Sequence, residues 1–564
     1  MKGSIRMKHL HLKKATSILT ALVIVFLLFA TNLPLVNVHA AAIDKTVLWS
    51  GNVSVSGDWS DWTCAAKIKL TDQTIFNQKF DIQIKYSGDK APYLIFMSWS
   101  GGKSWVELRA FYSSNGIAYY SYDSIKNALG DDLGKVDALR IYPDGADLTV
   151  TELAMCSPAS SEDISVPYEG LAGSLAEAIG AGWNLGDTLD SCGDWIATST
   201  DGSVKAYETA WSNPVTTKAM IQEVKAAGFN AIRVPVTWYQ HMDDTNHYKV
   251  DKAWMDRVQE TVDYVIDSGL ICILNVHHDT GTDGWLRATE SSYNRYADKF
   301  ESLWTQIASR FKDYSNKLLF EGFNEMLDEN NNWNYPGKTA TAMVNKWNQL
   351  FVDTVRATGG NNANRCLIVN TYCADSGSAI LDDFVLPADG AKNSLMVEVH
   401  YYSPYAFCTS ISDSTQQDDW RTNDGETLVS GAMYSLYKHF TSQGIPVIIG
   451  ELGAANKNNT ENRVDYASYV VKTASKYGIK CFWWDDGGNH KIDPQYGFFT
   501  GMSIFVRNTL TWDFPEVRDA LVNSVLDTTP FISPAATTGI PTSSEVPASS
   551  KTLANNKGQL IYPK

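Results

Sequence analysis

Eight times between residues 182 and 485 a short hydrophobic run breaks off at polar or ionisable residues and gives way to sequence with helical spacing. The runs are Gly182-Trp183-Asn184, Phe229 to Val234, Ile271 to Asp279, Leu319 to Glu325, Cys366 to Asn370, Leu395 to His400, Ile445 to Glu451 and Cys481 to Asp485. Near-continuous apolar runs are how strands buried on both faces read. Segments between them, such as Ser302 to Phe311 with Leu303, Trp304, Ile307 and Phe311 on one face, read as amphipathic helices. Strand-helix units joined by right-handed crossovers close on themselves at eight, so the pattern predicts a (β/α)8 TIM barrel, an α/β fold, over residues 166–530. An open doubly wound sheet is the alternative, and no phosphate-cradling glycine loop follows the first strand to support it.

Barrel closure gathers all strand ends at one mouth. Arg233, His277, Asn324, Glu325, His400, Glu451 and Trp484 are therefore expected to share one pocket. Two of these are carboxylates, each ending a different hydrophobic run. Glycosidic bond cleavage needs such a pair, one acid to protonate the departing oxygen and one to meet the anomeric carbon. Their spacing, ~5 to 5.5 Å for retention or ~6.5 to 9.5 Å for inversion, is not legible in sequence. The adjacent His277-His278-Asp279 suggests a metal, but neighbouring residues on a strand point to opposite faces, so no metal and no cofactor are expected.

Residues 41–156 have a different rhythm. Short alternating runs such as Phe80 to Tyr86, Tyr93 to Trp99 and Leu148 to Met155, separated by Gly-containing turns, predict a small antiparallel β-sandwich ahead of the barrel. The chain carries 18 Trp and 27 Tyr, more than cores need. Trp59, Trp62, Trp99, Trp105, Tyr112, Tyr119, Tyr120 and Tyr122 crowd this small unit, and a subset is expected to form a flat sugar-stacking platform, making it a carbohydrate-binding module. Trp195, Trp211, Trp238, Trp285, Trp333 and Trp420 fall after barrel strands and could line further subsites or belong to the core.

Residues 1–40 read as a signal peptide. Lys2, Arg6, Lys8, Lys13 and Lys14 precede an apolar run from Ala15 to Ala30, and Val38-His39-Ala40 is a small-residue cleavage site. A secreted, extracellular protein is expected, with no membrane segment once the peptide is removed. Losing five positive charges and no negative ones takes the net charge from −16 to −21. So acidic a surface argues against nucleic acid and anionic lipid and suits a neutral polymer. Of the cysteines, Cys272, Cys366 and Cys481 sit in strand-like runs and are expected to be structural, while Cys64 and Cys156 are spaced for a possible bridge. Residues 157–165 read as a linker and 531–564 as a Pro/Ser/Thr-rich disordered tail. A monomer is expected.

The ordered set Gly228-Phe229-Asn230 to Arg233-Val234-Pro235, Asn275-Val276-His277-His278, Phe323-Asn324-Glu325, His400-Tyr401-Tyr402, Gly450-Glu451 and Trp483-Trp484-Asp485 resembles glycoside hydrolase family 5, in particular its bacterial endo-β-1,4-glucanases. The resemblance implies a β-glucan substrate and a retaining mechanism with Glu325 as acid/base and Glu451 as nucleophile. It also implies that Glu325 holds its proton at rest, that Arg233 and Tyr402 hydrogen-bond Glu451, and that Asn324 meets the sugar 2-hydroxyl. His277 and His400 would shape the subsite, His278 would stand behind them, and Trp484 would be the floor for a stacked glucose. Xyloglucan, mixed-linkage glucan and mannan remain alternative polymers on this scaffold, and a non-catalytic wall-polysaccharide-binding protein is the rival of another class. At Asp187 this chain has a carboxylate where the relatives it resembles usually carry Asn.

Overall fold

The structure, a computed structural model, describes residues 45–56, 66–69, 79–158, 164–409, 411, 416–422, 424–488, 490–491, 495, 500–526 and 558–559. The predicted signal peptide, the core of the predicted linker, Trp59, Trp62 and Cys64, and nearly all of the predicted tail lie outside them.

Among the described residues, nine strands make the N-terminal sandwich. They are β1 (Thr46–Val55), β2 (Ala66–Lys69), β3 (Asp81–Ser87), β4 (Tyr93–Ser98), β5 (Lys103–Leu108), β6 (Tyr112–Ser114), β7 (Ile117–Tyr120), β8 (Ala138–Tyr142) and β9 (Leu148–Cys156). One antiparallel sheet runs β1-β9-β3-β7-β6 and the other β2-β8-β4-β5. Period-two alternation sets the core: Ile82 and Ile84 from the first sheet meet Leu94, Phe96, Leu139 and Ile141 from the second, all fully buried. The alternate residues of β4, Tyr93, Ile95 and Met97, gather with Tyr142 in a separate small cluster.

Among the described residues the sandwich aromatics are divided between core, seam and surface. Tyr120 is core, Trp105 packs edge-on to Tyr142 with ring centroids 5.7 Å apart, and Trp99 is exposed. Tyr112 stacks on Tyr119 at 5.4 Å and also packs edge-on to Tyr434 of the barrel. Cys156 is a free thiol that donates to the Asp81 carbonyl.

The barrel strands are β10 (Gly182–Asn184), β11 (Ala231–Val234), β12 (Ile271–Leu274), β13 (Leu318–Glu321), β14 (Leu367–Asn370), β15 (Leu395–Tyr401), β16 (Val447–Leu452) and β17 (Lys480–Trp483), all parallel and closed by β17 on β10. The helices outside them follow their apolar stripes. Lys252–Asp267 buries Trp254, Met255, Val258, Val262 and Val265, and starts where the Asp251 side chain accepts the Ala253 N–H. Glu290–Arg310 buries Phe300, Leu303, Trp304 and Ile307, and the Thr289 hydroxyl caps it at Ser292 N. Cys272, Cys366 and Cys481 are buried free thiols.

Strand ends differ from the sequence reading in one respect. The fourth strand stops at Glu321, not at Asn324-Glu325, and the third stops at Leu274. Asn324, Glu325, His277 and His278 therefore stand on the first residues of the loops, where they are freed from the strict alternation of a strand.

The sandwich is seated on the barrel. The Ser114 hydroxyl and the Asn115 N–H donate to the two oxygens of Asp382 at 2.5 and 2.6 Å, and His439 Nε2 lies 2.9 Å from the same carboxylate. Phe111 and Tyr112 pack on Tyr434, each with ring centroids 5.4 Å away. The close approach depends on Gly431, in the helix Gly425–His439. A Cβ there would lie 1.8 Å from the Phe111 carbonyl oxygen, so no larger residue fits without moving one backbone from the other.

Candidate active site

Arg233, on β11, is wholly enclosed at the barrel axis. Its Nε and Nη2 form a fork onto Glu321 at 2.7 and 2.8 Å. Nη1 donates to Glu451 Oε1 at 2.8 Å and to Asn184 Oδ1 at 3.1 Å, and Nη2 also reaches Asn324 Oδ1 at 2.8 Å. A planar fork with five donors suits such a hub, since every partner is held at a fixed angle. Tyr402 completes the hold on Glu451, donating its hydroxyl to Oε2 at 2.9 Å.

Glu325 and Glu451 face each other. One oxygen of each, together with a ring nitrogen of His400, lies within 4.8 Å of the others. His400 Nδ1 is 2.8 Å from Glu325 Oε1 and 3.5 Å from Glu451 Oε2, while Nε2 is 3.4 Å from Glu398 Oε1. Burial works against a charged imidazole, but Glu451, Glu325 and Glu398 outweigh it and push His400 up to about 10. It is an imidazolium at neutral pH, and Nδ1–H donates to Glu325.

Two further carboxylates, Glu321 on β13 and Glu398 on β15, lie beneath the pair and were missed in the sequence. Burial, opposed by Arg233 and reinforced by Glu398, pushes Glu321 up, so it keeps its proton. Burial alone would raise Glu398 too, but Arg233 and His400 reverse this and hold it below the usual carboxylate range. Asn275 donates to Glu321 at 2.9 Å and Asn370 to Glu398 at 2.8 Å. The missed signal was an acid inside an otherwise apolar strand, Leu-Leu-Phe-Glu and Leu-Met-Val-Glu. Gly450 makes room for this layer, because a Cβ there would sit 1.6 Å from Glu398 Oε1.

His277 and His278 do not point to opposite sides. Their ring centroids are 4.5 Å apart, and both lie within 4.8 Å of an Asp190 oxygen, because the strand ended three residues earlier. Asn275 Nδ2 donates to His277 Nδ1 at 3.0 Å, since its Oδ1 is taken by Val236 N. Burial first, then the charges of the two other histidines and Arg233, pull His277 well below its ordinary value, so it is neutral with its proton on Nε2, 3.8 Å from Glu451 Oε1. The oxygens of Asp190 accept the N–H groups of Asp187 and Thr188 at 3.0 and 2.7 Å.

Trp484 stacks parallel to His277, with an interplanar angle of 7° and centroids 5.7 Å apart. The loop behind it is clamped by Asp485 and Asp486, which accept backbone N–H groups from Met502, Ser503, Ile504 and Phe505 at 2.8 to 3.1 Å. Trp211 lies 5.4 Å from His278, and Trp195 and Trp333 are exposed, whereas Trp238 and Trp420 are core. The last two are not available to sugar.

Asp187 is buried at φ 55°, a left-handed position that Asn and Asp tolerate. Burial and the neighbouring acids Asp190 and Asp486 raise it well above its ordinary value, so it is a neutral acid that stands close to an amide in charge. A raised folded value adds nothing against below the unfolded one and costs stability as pH climbs from there through the folded value. Asp187→Asn should therefore leave Tm unchanged near pH 4 and raise it by about 1 to 3 °C at pH 8, measured as thermal melts across pH.

A closed parallel barrel with two facing carboxylates at its mouth defines the class of barrel glycosidases. Residues 193–490 match the family Cellulase (glycosyl hydrolase family 5), and residues 49–153 match Carbohydrate binding module 65 domain 1. The chain belongs to glycosyl hydrolase family 5. It is 40% identical over 353 residues to Endoglucanase A of Clostridium longisporum, covering 62% of this chain and 65% of that one. To Cellulase/esterase CelE of Acetivibrio thermocellus it is 37% identical, over 64% of this chain and 41% of the relative, so it spans less than two thirds of either. Among solved structures it is similar to a GH5-4 broad specificity endoglucanase from Ruminococcus champanellensis with bound cellotriose, at 41% identity and a TM-score of 0.57, over 64% of this chain and all of that one.

Proposed function

We propose that this chain is a secreted, monomeric endo-β-1,4-glucanase that cleaves internal bonds of cellulose-type β-glucans with retention of anomeric configuration. The observation carrying the reading is the pair of facing carboxylate oxygens, within 4.8 Å. That is short of the ~6.5 to 9.5 Å by which inverting pairs seat a water together with the sugar, and it suits direct attack.

Glu451, its oxygens held by Arg233 and Tyr402, attacks the anomeric carbon. His400 occupies Oε1 of Glu325, so Oε2 is the oxygen from which a proton passes to the glycosidic oxygen as the C–O bond breaks. The leaving chain departs with that proton, and the sugar stays as an ester of Glu451. Water then attacks the same carbon, giving its proton to Glu325 and releasing Glu451. Asn324 has its amide oxygen engaged by Arg233, so its Nδ2 is the group that donates to the 2-hydroxyl. Trp484 and the neutral His277 form the stacking and hydrogen-bonding floor.

Secretion rests on the basic-then-apolar start of the sequence, and among the described residues no helix is long and apolar enough to cross a membrane. The test is proton NMR of cellohexaose during hydrolysis. The new reducing end should appear as the β anomer and only later mutarotate, and an α anomer formed first would refute the mechanism. Release of reducing sugar from soluble cellulose, mixed-linkage glucan and xyloglucan should exceed that from mannan and xylan.

A further inference from the structure

A cleft of about 1170 Å³ opens beside Glu325, and its lining comes from both units of the chain. The barrel supplies Glu325, His400, Tyr402 and the aromatics Trp333 and Tyr405, 48% and 68% exposed. The sandwich supplies Lys90, Tyr93, Arg109 and Asp144. Neither His277 nor Trp484 belongs to this lining, so the cleft runs away from the stacking floor, on the acid's side. Its volume exceeds the ~300 to 1,000 Å³ of pockets for compact ligands and suits an extended one.

We infer that the sandwich builds one wall of the subsites that hold the leaving half of the glucan, through Lys90 and Arg109, so that the module takes part in each cut. The inference rests on the glucanase reading above, because it is Glu325 as acid that makes its side of the mouth the leaving-group side. Arg109 is held but not buried: its guanidinium lies 4.8 Å over the Tyr93 ring and 3.7 Å from Asp144, with 44% of the side chain open. Planar donors fixed on an aromatic ring suit pairs of sugar hydroxyls. The seat of Ser114 and Asn115 on Asp382, and of Phe111 on Gly431, fixes this wall against the barrel, as an independent tether would not require.

The experiment uses the full-length chain carrying Lys90→Ala and Arg109→Ala together, compared on two substrates. A p-nitrophenyl cellobioside leaves only one ring beyond the cut, whereas cellohexaose can fill the cleft. The kcat/KM for cellohexaose should fall about five- to tenfold, the size of one or two lost polar contacts, with the aryl cellobioside rate within about twofold of wild type. Cleavage of cellohexaose should also shift toward its reducing end, as leaving-side contacts no longer hold the chain in register. Gly431→Leu, which forces the units apart, should reproduce this selective loss. Unchanged rates and products, or equal losses on both substrates, would overturn the wall. A wild type inactive on every β-glucan would instead sink the glucanase reading and this one with it.

Discussion

Glu451→Gln is expected to lower kcat on soluble cellulose derivatives by about 10⁴-fold or more, with KM little changed and the fold intact. A loss of that size is about 5.5 kcal/mol of transition-state stabilisation, as the proposed role of Glu451 as nucleophile requires. The amide fits the same space but can accept from only one of Tyr402 and Arg233, so the melting temperature should fall by about 2 to 5 °C while the fold stays intact. Glu325→Ala separates the two roles. It should fail on polysaccharide, where the leaving oxygen needs a proton, but form the glycosyl-enzyme at near normal rate from a dinitrophenyl cellobioside, whose leaving group needs none. Added azide should then speed turnover of that substrate and give a β-glycosyl azide. If both variants lose activity equally on the activated substrate, with no azide rescue, the assignment of roles fails.

Arg233→Met should cost about 3–5 kcal/mol of stability, seen as a fall on the order of 5–15 °C in Tm. The loss follows from what is left behind: Glu398 and Glu451 would remain enclosed without the guanidinium that balances them. Glu321→Gln is the matched control. Glu321 already keeps its proton, so its amide substitute should melt within about 1 or 2 °C of wild type at pH 7. A large fall in Glu321→Gln and none in Arg233→Met would reverse the charge assignment of this layer.

The barrel was readable because each strand is buried on both faces, which leaves an uninterrupted apolar run, and because each run ends at the mouth. Glu451 could be read directly, as it sits on its strand. Glu325 and the two histidines were placed on strand ends that in fact lie in loops, and the alternation rule then misdirected His277 and His278. Glu321 and Glu398 escaped notice because their importance is set by partners from other strands: Arg233 is 88 residues from Glu321 in sequence. The seat of Phe111 on Gly431 was illegible for the same reason. Nothing in a helix whose small residue faces outward says which carbonyl will lie on it. The described aromatics of the sandwich divide among core, seam and surface, because composition counts rings without orienting them.

The ionisable groups at the barrel axis lean on one another, with Arg233 and His400 positive, Glu398 negative, Glu321 carrying its proton, and Glu451 hydrogen-bonded to Arg233. A mutational path that alters one member leaves an unmatched ion in a medium that scarcely tolerates one. Variation there should travel in compensating pairs, while the loops above drift singly, so that specificity can diversify over a chemical centre that is locked by parity.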